Sequence, residues 1–221
     1  MDKKTIAAMI DHTLLKPEAT PAQIEKLCAE AAEYHFASVC VNPVYIPLAA
    51  RLLKGTGVKV CCVVGFPLGA IAPEQKAAEA ASCAAMGAEE LDMVIHVGAA
   101  KAGDWALVQR DIEGVVKAAA GHTVKVIIET CLLTDEEKIA MCKVVTDTGA
   151  DFIKTSTGFS TAGATFADIE LFARHVGPGV KIKAAGGISS LEDAEKFIEL
   201  GASRLGTSRV VKIVKKLEAE K

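Results

Sequence analysis

The sequence has few of the features that mark membrane, secreted or nucleic-acid-binding proteins. Aromatic residues make up only 5% of its 221 residues, and no apolar run approaches the ~18 residues of a membrane span. The first residues, Met-Asp-Lys-Lys-Thr, lack the apolar core of a signal peptide. The formal net charge is −3, and no basic block occurs before the lysine-rich C-terminal segment. We therefore expect neither a membrane nor a nucleic acid as a partner.

Cysteine is present, but without the spacing of a metal site or a disulfide framework. The seven cysteines are an odd number and include the adjacent pair Cys61 and Cys62 inside an apolar run. No C-x-x-C occurs, and no His/Cys cluster has the spacing of zinc ligands. This usage is typical of reduced core cysteines in a cytoplasmic protein, so we expect a cytoplasmic location and no metal.

Short β-rich runs alternate with amphipathic helical segments along the chain. The predicted strands are 9–12, 38–41, 59–64, 90–97, 124–129, 152–154, 181–184 and 204–206. The helical segments include 20–34, 73–86, 105–119, 134–148, 166–176 and 191–200. With no linker or composition break, this order predicts one α/β domain over residues 1–221, a closed (β/α)8 TIM barrel with a short N-terminal helix. A doubly wound open sheet is the alternative, but no G-x-G-x-x-G follows the first strand.

Charged residues lie on the strand parity that should face the barrel interior. Alternate residues of a barrel strand face the helices and the interior, and the interior is normally filled by branched apolar residues. In four consecutive strands the helix-facing parity is apolar, whereas the interior parity contains Asp92, Glu129, Lys154 and Lys183. Because Asp92, Lys154 and Lys183 are followed by loops, and active sites lie at the carboxyl ends of barrel strands, we assign these three residues to a site.

Three other interior charges carry less information. Glu90 and Lys181 lie early in their strands, and we expect them to be paired ions or to contact water. Glu129 is a weaker catalytic candidate and could simply balance the charge of the lysines.

The two lysines suggest a specific chemistry. Neighbouring strands lie about 4.8 Å apart, so Lys154 and Lys183 should be close together. Lowering the pKa of a lysine from about 10.4 to about 7 takes about 4–5 kcal/mol. A like charge about 4–5 Å away supplies about 3–4 kcal/mol, and partial desolvation can add the remainder. One neutral amine could then form a Schiff base with an aldehyde or ketone, with Asp92 relaying protons through a water.

Small-residue loops follow the last two predicted strands. These loops are Gly186-Gly187-Ile188-Ser189-Ser190 and Gly206-Thr207-Ser208-Arg209. Backbone N–H groups in such loops bind phosphate, and the final two βα loops are the usual phosphate site of a barrel. With Arg209 and the segment that begins at Thr155 nearby, the pattern predicts a phosphorylated carbonyl substrate.

Eight segments of the chain match one known family. They are Ile10-Asp-His-Thr-Leu-Leu-Lys-Pro17, Ser38-Val-Cys-Val-Asn-Pro43, Val64-Gly-Phe-Pro-Leu-Gly69, Glu90-Leu-Asp-Met-Val-Ile95, Lys125-Val-Ile-Ile-Glu-Thr130, Asp151-Phe-Ile-Lys-Thr-Ser-Thr-Gly-Phe159, Lys183-Ala-Ala-Gly-Gly-Ile188 and Arg204-Leu-Gly-Thr-Ser208. Through these segments the chain resembles the deoxyribose-phosphate aldolases from near its start to near its end. The two lysine-bearing motifs together are the most specific part of the resemblance.

The resemblance implies a class I aldolase without metal or cofactor. Such an enzyme cleaves 2-deoxy-D-ribose 5-phosphate to D-glyceraldehyde 3-phosphate and acetaldehyde. Lys154 resembles the Schiff-base residue, Lys183 the lysine that perturbs it and Asp92 the proton relay. The resemblance also places a set of residues at or near the substrate: Asp11, Thr13, Cys40, Gly186, Gly187, Gly206 and Ser208. It further implies a cytoplasmic homo-oligomer, commonly a dimer.

The chain departs from the family pattern at three places. His96 stands where Asn is expected, Ser189 where a basic residue is common, and Arg209-Val210 where Ser-Gly is common. We expect Arg209 to replace the cation missing at Ser189, and His96 to form a local cap or hydrogen bond.

Two alternative functions stay open at this point. A metal-free sugar-phosphate isomerase of the same fold would use a carboxylate base and form no Schiff base. A non-catalytic sugar-phosphate sensor would bind the ligand without turnover.

Overall fold

The computed structural model describes residues 3–207 and residue 209. Eight parallel strands form a closed barrel in sequence order, and the last strand pairs with the first. They are β1 (Ile10–Leu14), β2 (Ser38–Val41), β3 (Lys59–Val64), β4 (Glu90–Val94), β5 (Thr123–Ile127), β6 (Phe152–Lys154), β7 (Lys181–Ala185) and β8 (Arg204–Thr207). The prediction of a closed (β/α)8 barrel is therefore confirmed over an open doubly wound sheet.

Helices connect the strands and surround the barrel. In the described part of the chain they are α1 (Lys3–Ala7), α2 (Pro21–Tyr34), α3 (Ile46–Leu53), α4 (Pro73–Met86), α5 (Val97–Lys101), α6 (Trp105–Ala118), α7 (Asp135–Asp147), α8 (Phe166–His175) and α9 (Leu191–Glu199). Helix α1 is the short helix expected before β1. Helices α3 and α5 were not among the predicted segments, and both are short. Among these residues no helix is long and apolar enough to cross a bilayer.

Local capping explains where several helices begin. Thr20, Thr134 and Ser190 precede α2, α7 and α9, and each side chain accepts a hydrogen bond from a backbone N–H of the first helical turn. In all three, the side chain three positions later bonds back to the capping residue. This capping box satisfies backbone donors that a helix start leaves unpaired.

The strands obey the predicted parity. The core between barrel and helices contains the residues predicted to face the helices, Leu91, Met93, Ile95, Val124, Val126, Ile128, Ile153 and Ile182. The opposite parity of β4, β6 and β7 places Asp92, Lys154 and Lys183, all buried, inside the barrel. The period-two pattern therefore predicted correctly which side chains share the interior.

Two strand ends differ from the prediction in a way that matters for the site. Strand β7 continues through Ala184 and Ala185, so Lys183 does not end its strand, whereas Lys154 does end β6. Strand β5 ends at Ile127, and Glu129 beyond it adopts a left-handed backbone with φ of 54°. Glu129 thus lies outside the strand and does not follow its alternation.

Candidate active site

Asp92 is the centre of a buried ionic cluster inside the barrel. Its Oδ2 accepts hydrogen bonds from Lys154 Nζ at 2.7 Å and from Lys183 Nζ at 2.6 Å. Its Oδ1 accepts from Lys125 Nζ at 2.8 Å. Because the two lysines share one oxygen and are register partners on β6 and β7, their nitrogens lie side by side, as the sequence predicted.

Further ions support this centre from the amino-terminal side of the strands. Asp11 accepts a hydrogen bond from Lys183 at 2.5 Å and another from Arg204 at 2.7 Å. Glu90 pairs with Lys125 at 2.5 Å and with Arg204 at 2.9 Å. Glu90 is therefore a paired ion, one of the two expected possibilities, and Lys181 is exposed at the start of β7.

Cations outnumber carboxylates in this cluster. The barrel-interior cluster consists of Asp11, Glu90, Asp92, Lys125, Lys154, Lys183 and Arg204. Four basic groups thus face three carboxylates, and all seven side chains except the partly exposed Arg204 are buried. A buried surplus charge is costly, so a neutral amine at one position would balance the cluster.

In this cluster, attraction between opposite charges affects the pKa values more than burial does. Burial opposes ionisation of Asp92, but the attraction of Lys125, Lys154 and Lys183 outweighs it and holds the pKa of Asp92 well below its usual range. For Lys183 burial acts to lower the pKa, yet Asp11 and Asp92 raise it above the ordinary value. Lys183 is consequently a cation and Asp92 an anion at neutral pH.

A cavity of about 470 Å³ opens above the cluster. Of the seven cluster residues, all within the described chain, Lys154 alone lines this cavity, and its side chain is 4% exposed. Lys183 is fully buried because β7 extends two residues beyond it. Lys154 and Lys183 bond the same Asp92 oxygen, but only Lys154 of the two reaches the cavity.

Several predicted substrate residues lie on the cavity wall. The structure places there Thr13, Gly186, Gly187, Gly206 and Arg209. Gly186 and Gly187 have φ of 74° and 76°, a backbone that L side chains rarely adopt, and they lead into the capped start of α9. A side chain at position 206 would crowd Lys183, whose Cε lies 3.2 Å from the site of a Cβ. The loop of Gly186 and Gly187 thus exposes backbone at the start of α9, which suits an anion.

Three predicted substrate residues lie away from the wall. Asp11 is fully buried and its carboxylate is occupied by Lys183 and Arg204. The Thr155 hydroxyl bonds the backbone of Ala185, tying β6 to β7. Cys40 is also fully buried. These three residues thus lie behind the cavity wall, and their contact with substrate stays a prediction.

The remaining predictions concern the edges of the site. His96 Nδ1 accepts from the Ala99 N–H at 3.1 Å, which confirms the expected local cap at α5. The Ser189 hydroxyl is bonded to Asp193, and Arg209 is exposed at the cavity wall. Ser208 lies outside the described residues.

The sequence reasoning did not single out Lys125 or Arg204. Lys125 lies on the same interior parity as Lys154, and this parity was the available signal. Arg204 begins β8 and reads like a strand-entrance residue in contact with water, although it links Asp11 to Glu90. Thr157 and Phe159, also not assigned, line the cavity after β6.

Within residues 3–207 and residue 209, one group of side chains has atoms close enough to hold a metal ion. The ligand atoms of Cys40, Cys61 and Asp92 lie within 4.8 Å of one another. The Asp92 carboxylate, however, already accepts hydrogen bonds from three ammonium groups. Their positive charge opposes a divalent cation at this position, so the group does not suit a metal.

Comparison with known proteins finds relatives over nearly the whole chain. The pattern of the DeoC/LacD family aldolases matches residues 5–208. The deoxyribose-phosphate aldolase of Clostridium perfringens (strain SM101 / Type A) is 58% identical over 214 residues, 96% of each chain. That of Streptococcus gordonii is 58% identical over 206 residues, 93% of this chain and 94% of the relative. The tetrameric deoxyribose phosphate aldolase structure from Aeropyrum pernix has a TM-score of 0.91 at 36% identity, covering 100% of this chain and 94% of that one.

Proposed function

Because this chain belongs to the DeoC/LacD family of aldolases, which are carbon–carbon lyases, we propose that its substrate is 2-deoxy-D-ribose 5-phosphate. The reversible products are D-glyceraldehyde 3-phosphate and acetaldehyde, and the intermediate is a Schiff base on Lys154. The observation that carries this assignment is that Lys154 lines the cavity while its partner amines are sealed below it. The relatives named for this activity support the choice of substrate.

Access to the cavity and the charges of the neighbouring amines single out Lys154 as the nucleophile. Lys183 is held as a cation by Asp11 and Asp92, and the pKa of Lys125 is raised well above its ordinary value because its carboxylate partners outweigh burial. Lys154 is therefore the amine of the cluster that a substrate in the cavity can reach. A neutral lysine is the form that attacks a carbonyl carbon.

The proposed reaction begins at Lys154. Lys154 Nζ attacks C1 of the open-chain sugar, and the carbinolamine loses water to give an iminium ion. Loss of the C3 hydroxyl proton breaks the C2–C3 bond, releases glyceraldehyde 3-phosphate and leaves an enamine on Lys154. Asp92, 2.7 Å from the amine, moves protons through a water to the carbinolamine and the enamine. Protonation at C2 and hydrolysis release acetaldehyde.

The phosphate of the substrate binds at the glycine loops. Gly186, Gly187 and Gly206 line the wall, and Arg209 adds a cation. The Gly186 N–H donates to the Gly206 carbonyl at 3.2 Å, so Gly187 is the loop glycine whose backbone N–H we assign to the phosphate. Arg209→Ala should raise KM for the phosphorylated sugar more than for unphosphorylated deoxyribose. Equal effects on both substrates would reject this role for Arg209. Ser208 stays a predicted ligand.

Product analysis with borohydride tests the proposal. The purified protein is incubated with 2-deoxyribose 5-phosphate, and release of acetaldehyde and glyceraldehyde 3-phosphate is measured with and without borohydride. We expect both products, and inactivation by borohydride only when substrate is present. An isomerised sugar phosphate without carbon–carbon cleavage would favour the isomerase, and binding without any product would favour the sensor.

We also propose that the chain acts as a single domain and forms a homo-oligomer in the cytoplasm, with a dimer favoured. The tetrameric relative from Aeropyrum pernix supports assembly, and exposed apolar residues such as Val44 and Leu68, each 75% exposed, offer surface for it. Sedimentation equilibrium at micromolar concentration measures the mass, and a monomer would contradict the proposal.

A further inference from the structure

Glu129 has a backbone conformation that needs an explanation. It is buried, with 3% of its surface exposed, and its φ is 54°. A non-glycine residue in the left-handed region is strained, and such strain persists only where surrounding contacts enforce it. Its expected role was to balance the lysines, but no lysine or arginine in the described chain lies within ion-pair distance of it. The carboxylate therefore has another function.

Both carboxylate oxygens of Glu129 are used by one residue of the next βα loop. Oε1 accepts from the Thr157 N–H at 3.1 Å, and Oε2 accepts from the Thr157 hydroxyl. The hydroxyl oxygen of Thr157 in turn accepts from the Phe159 N–H at 3.0 Å. We call this arrangement the Glu129–Thr157 clamp. It fixes the segment that follows Lys154, and both Thr157 and Phe159 line the cavity.

The clamped loop continues onto the phosphate side of the cavity. The loop between β6 and α8, residues 155–165, packs its backbone against Gly186 and Gly187. A Cβ at Gly163 would lie 2.6 Å from the carbonyl carbon of Gly186, and Ala164 N–H donates to Ala185 O at 3.0 Å. Two backbones this close cannot move independently, so a shift of the loop would displace the glycine loop.

Lys154 is held by different contacts. It is the last residue of β6, paired in register with Ile127 and Lys183, and its amine is bonded to Asp92. The Lys154 carbonyl also accepts from the Ile128 N–H at 3.0 Å, next to Glu129 in the chain, but none of these contacts uses the Glu129 side chain. Loss of the clamp should therefore move the cavity wall while leaving the reactive amine in place.

We infer that Glu129 is a positioning residue that sets the affinity for the phosphate end of the substrate without affecting Schiff-base formation. The inference rests on the proposed function for the identity of the substrate. The positioning role of Glu129 does not depend on which sugar phosphate is the substrate, because it concerns any anion bound beside the clamped loop.

A double-mutant cycle tests the clamp. Glu129→Ala, Thr157→Val and the double variant are compared with the wild type for KM and kcat on 2-deoxyribose 5-phosphate. We expect Glu129→Ala to raise KM at least about tenfold and to lower kcat less, since small displacements of positioning groups have effects of this size. The effects of the two single changes should not add in the double variant, because both break the bond between the Thr157 hydroxyl and Glu129. Borohydride trapping of acetaldehyde on Lys154 should stay within about twofold of wild type in all three.

Two further variants separate the clamp from backbone strain. Glu129→Gly removes the carboxylate but accepts a positive φ without strain, so we expect it to raise KM as Glu129→Ala does. Ala120→Gly relieves the same kind of strain at a second non-glycine residue, φ 51°, between α6 and β5, and should change nothing. Thr157→Val keeps the shape and leaves Glu129 untouched, so it reports on the clamp if the Glu129 variants fold poorly.

A binding measurement keeps the inference separate from the proposed function. Calorimetric titration with glyceraldehyde 3-phosphate and with inorganic phosphate needs no turnover, and we expect Glu129→Ala to weaken both at least about fivefold. The inference is overturned if KM and both affinities are unchanged in Glu129→Ala and Thr157→Val, or if acetaldehyde trapping falls in parallel with them. Failure of the wild type to cleave the sugar phosphate would instead contradict the proposed function, and the titrations would still decide the role of Glu129.

Discussion

Two buried charged sites lie on opposite sides of β4 and behave differently. Inside the barrel, Asp92 belongs to the seven-residue cluster described above. On the helix side, Lys76 of α4 is fully buried and bonds Asp111 of α6 at 2.5 Å and the Val94 carbonyl at 2.8 Å. Burial lowers the pKa of Lys76 and raises that of Asp111, and their mutual attraction only partly offsets it. In the cluster the directions are reversed, with the pKa of Asp92 lowered and that of Lys183 raised.

The difference shows that a network of ions can outweigh the cost of burying a charge, whereas a single ion pair cannot. One opposite charge does not outweigh the desolvation of Lys76 or Asp111, whereas three cations around Asp92 do. The outer pair is also sealed, while the inner cluster reaches the cavity through Lys154. Buried charge alone therefore does not indicate chemistry, but buried charge with one accessible member does.

Replacing the accessible member should have the largest effect. Lys154→Met removes the nucleophile, so we expect kcat for cleavage to fall at least about a thousandfold and borohydride trapping to disappear. Lys181→Met, which changes an exposed lysine on the adjacent strand, is the matched control and should retain activity. Substantial cleavage by Lys154→Met would contradict the claim that the lysine lining the cavity is the nucleophile.

Replacing the sealed neighbour should have a smaller but clear effect on rate. Lys183→Met deprives Asp11 and Asp92 of a partner, and we expect kcat to fall about a hundredfold because proton transfer and the charge of the cluster both change. Lys183→Arg should recover part of the loss, since it restores the cation. Thermal unfolding of both variants controls for misfolding. Unchanged kcat in Lys183→Met would show that Lys183 only fills space.

Breaking the outer pair should affect stability and not catalysis. Lys76→Met leaves Asp111 buried without its cation, so we expect the free energy of unfolding to fall by about 3–5 kcal/mol. Replacing both residues, Lys76→Met with Asp111→Leu, should recover much of that loss. At a temperature where the variants are folded, kcat/KM should stay within about threefold of wild type. If Lys76→Met lost as much kcat as Lys183→Met, the outer pair could not be called purely structural.

The smallest expected effect concerns the pH dependence of stability. On the helix side of β1, burial lowers the pKa of His12, and the bond to Glu30 only partly opposes this. The unfolded state therefore binds the proton more tightly, and stability is lost as the pH falls through about 6.5, by at most about 1.4 kcal/mol per pH unit. Urea unfolding at several pH values should show this slope in wild type and not in His12→Gln.

The carboxylates of the barrel-interior cluster should lose their contribution to stability at a lower pH than His12 does. The lowered pKa values of Asp11 and Asp92 mean that their contribution is present above the unfolded value of about 3.9 and is lost only as the pH falls through the lower folded values. His122→Gln, at an exposed histidine, serves as control. An identical slope in wild type and His12→Gln between pH 7 and about pH 5 would contradict the effect of burial on His12.

The sequence predicted the interior residues because strand periodicity is a local property. Asp92, Lys154 and Lys183 follow from counting alternate positions along β4, β6 and β7, and the barrel follows from the order of elements. Strand periodicity could not predict which of the two lysines reaches the cavity. Ala184 and Ala185 extend β7 beyond Lys183, and this extension depends on pairing with β8.

The partners within the cluster could not be predicted, because they are set by closure of the barrel. Arg204 reaches Asp11 from a position 193 residues away and Glu90 from 114 residues away. No local pattern encodes such pairs, so the bonds of Asp11 to Lys183 and Arg204 were not foreseen. Glu129 was expected on the interior parity of its strand, but it lies beyond β5 with a left-handed backbone and bonds Thr157 of the following loop.

Peptide mapping tests the central claim most directly. The protein is incubated with acetaldehyde, reduced with borohydride and digested, and the modified residue is located by mass spectrometry. The account predicts a single ethylated lysine at position 154, with Lys125 and Lys183 unmodified. An adduct on Lys183 or Lys125, or no adduct under conditions where the enzyme cleaves its substrate, would contradict it.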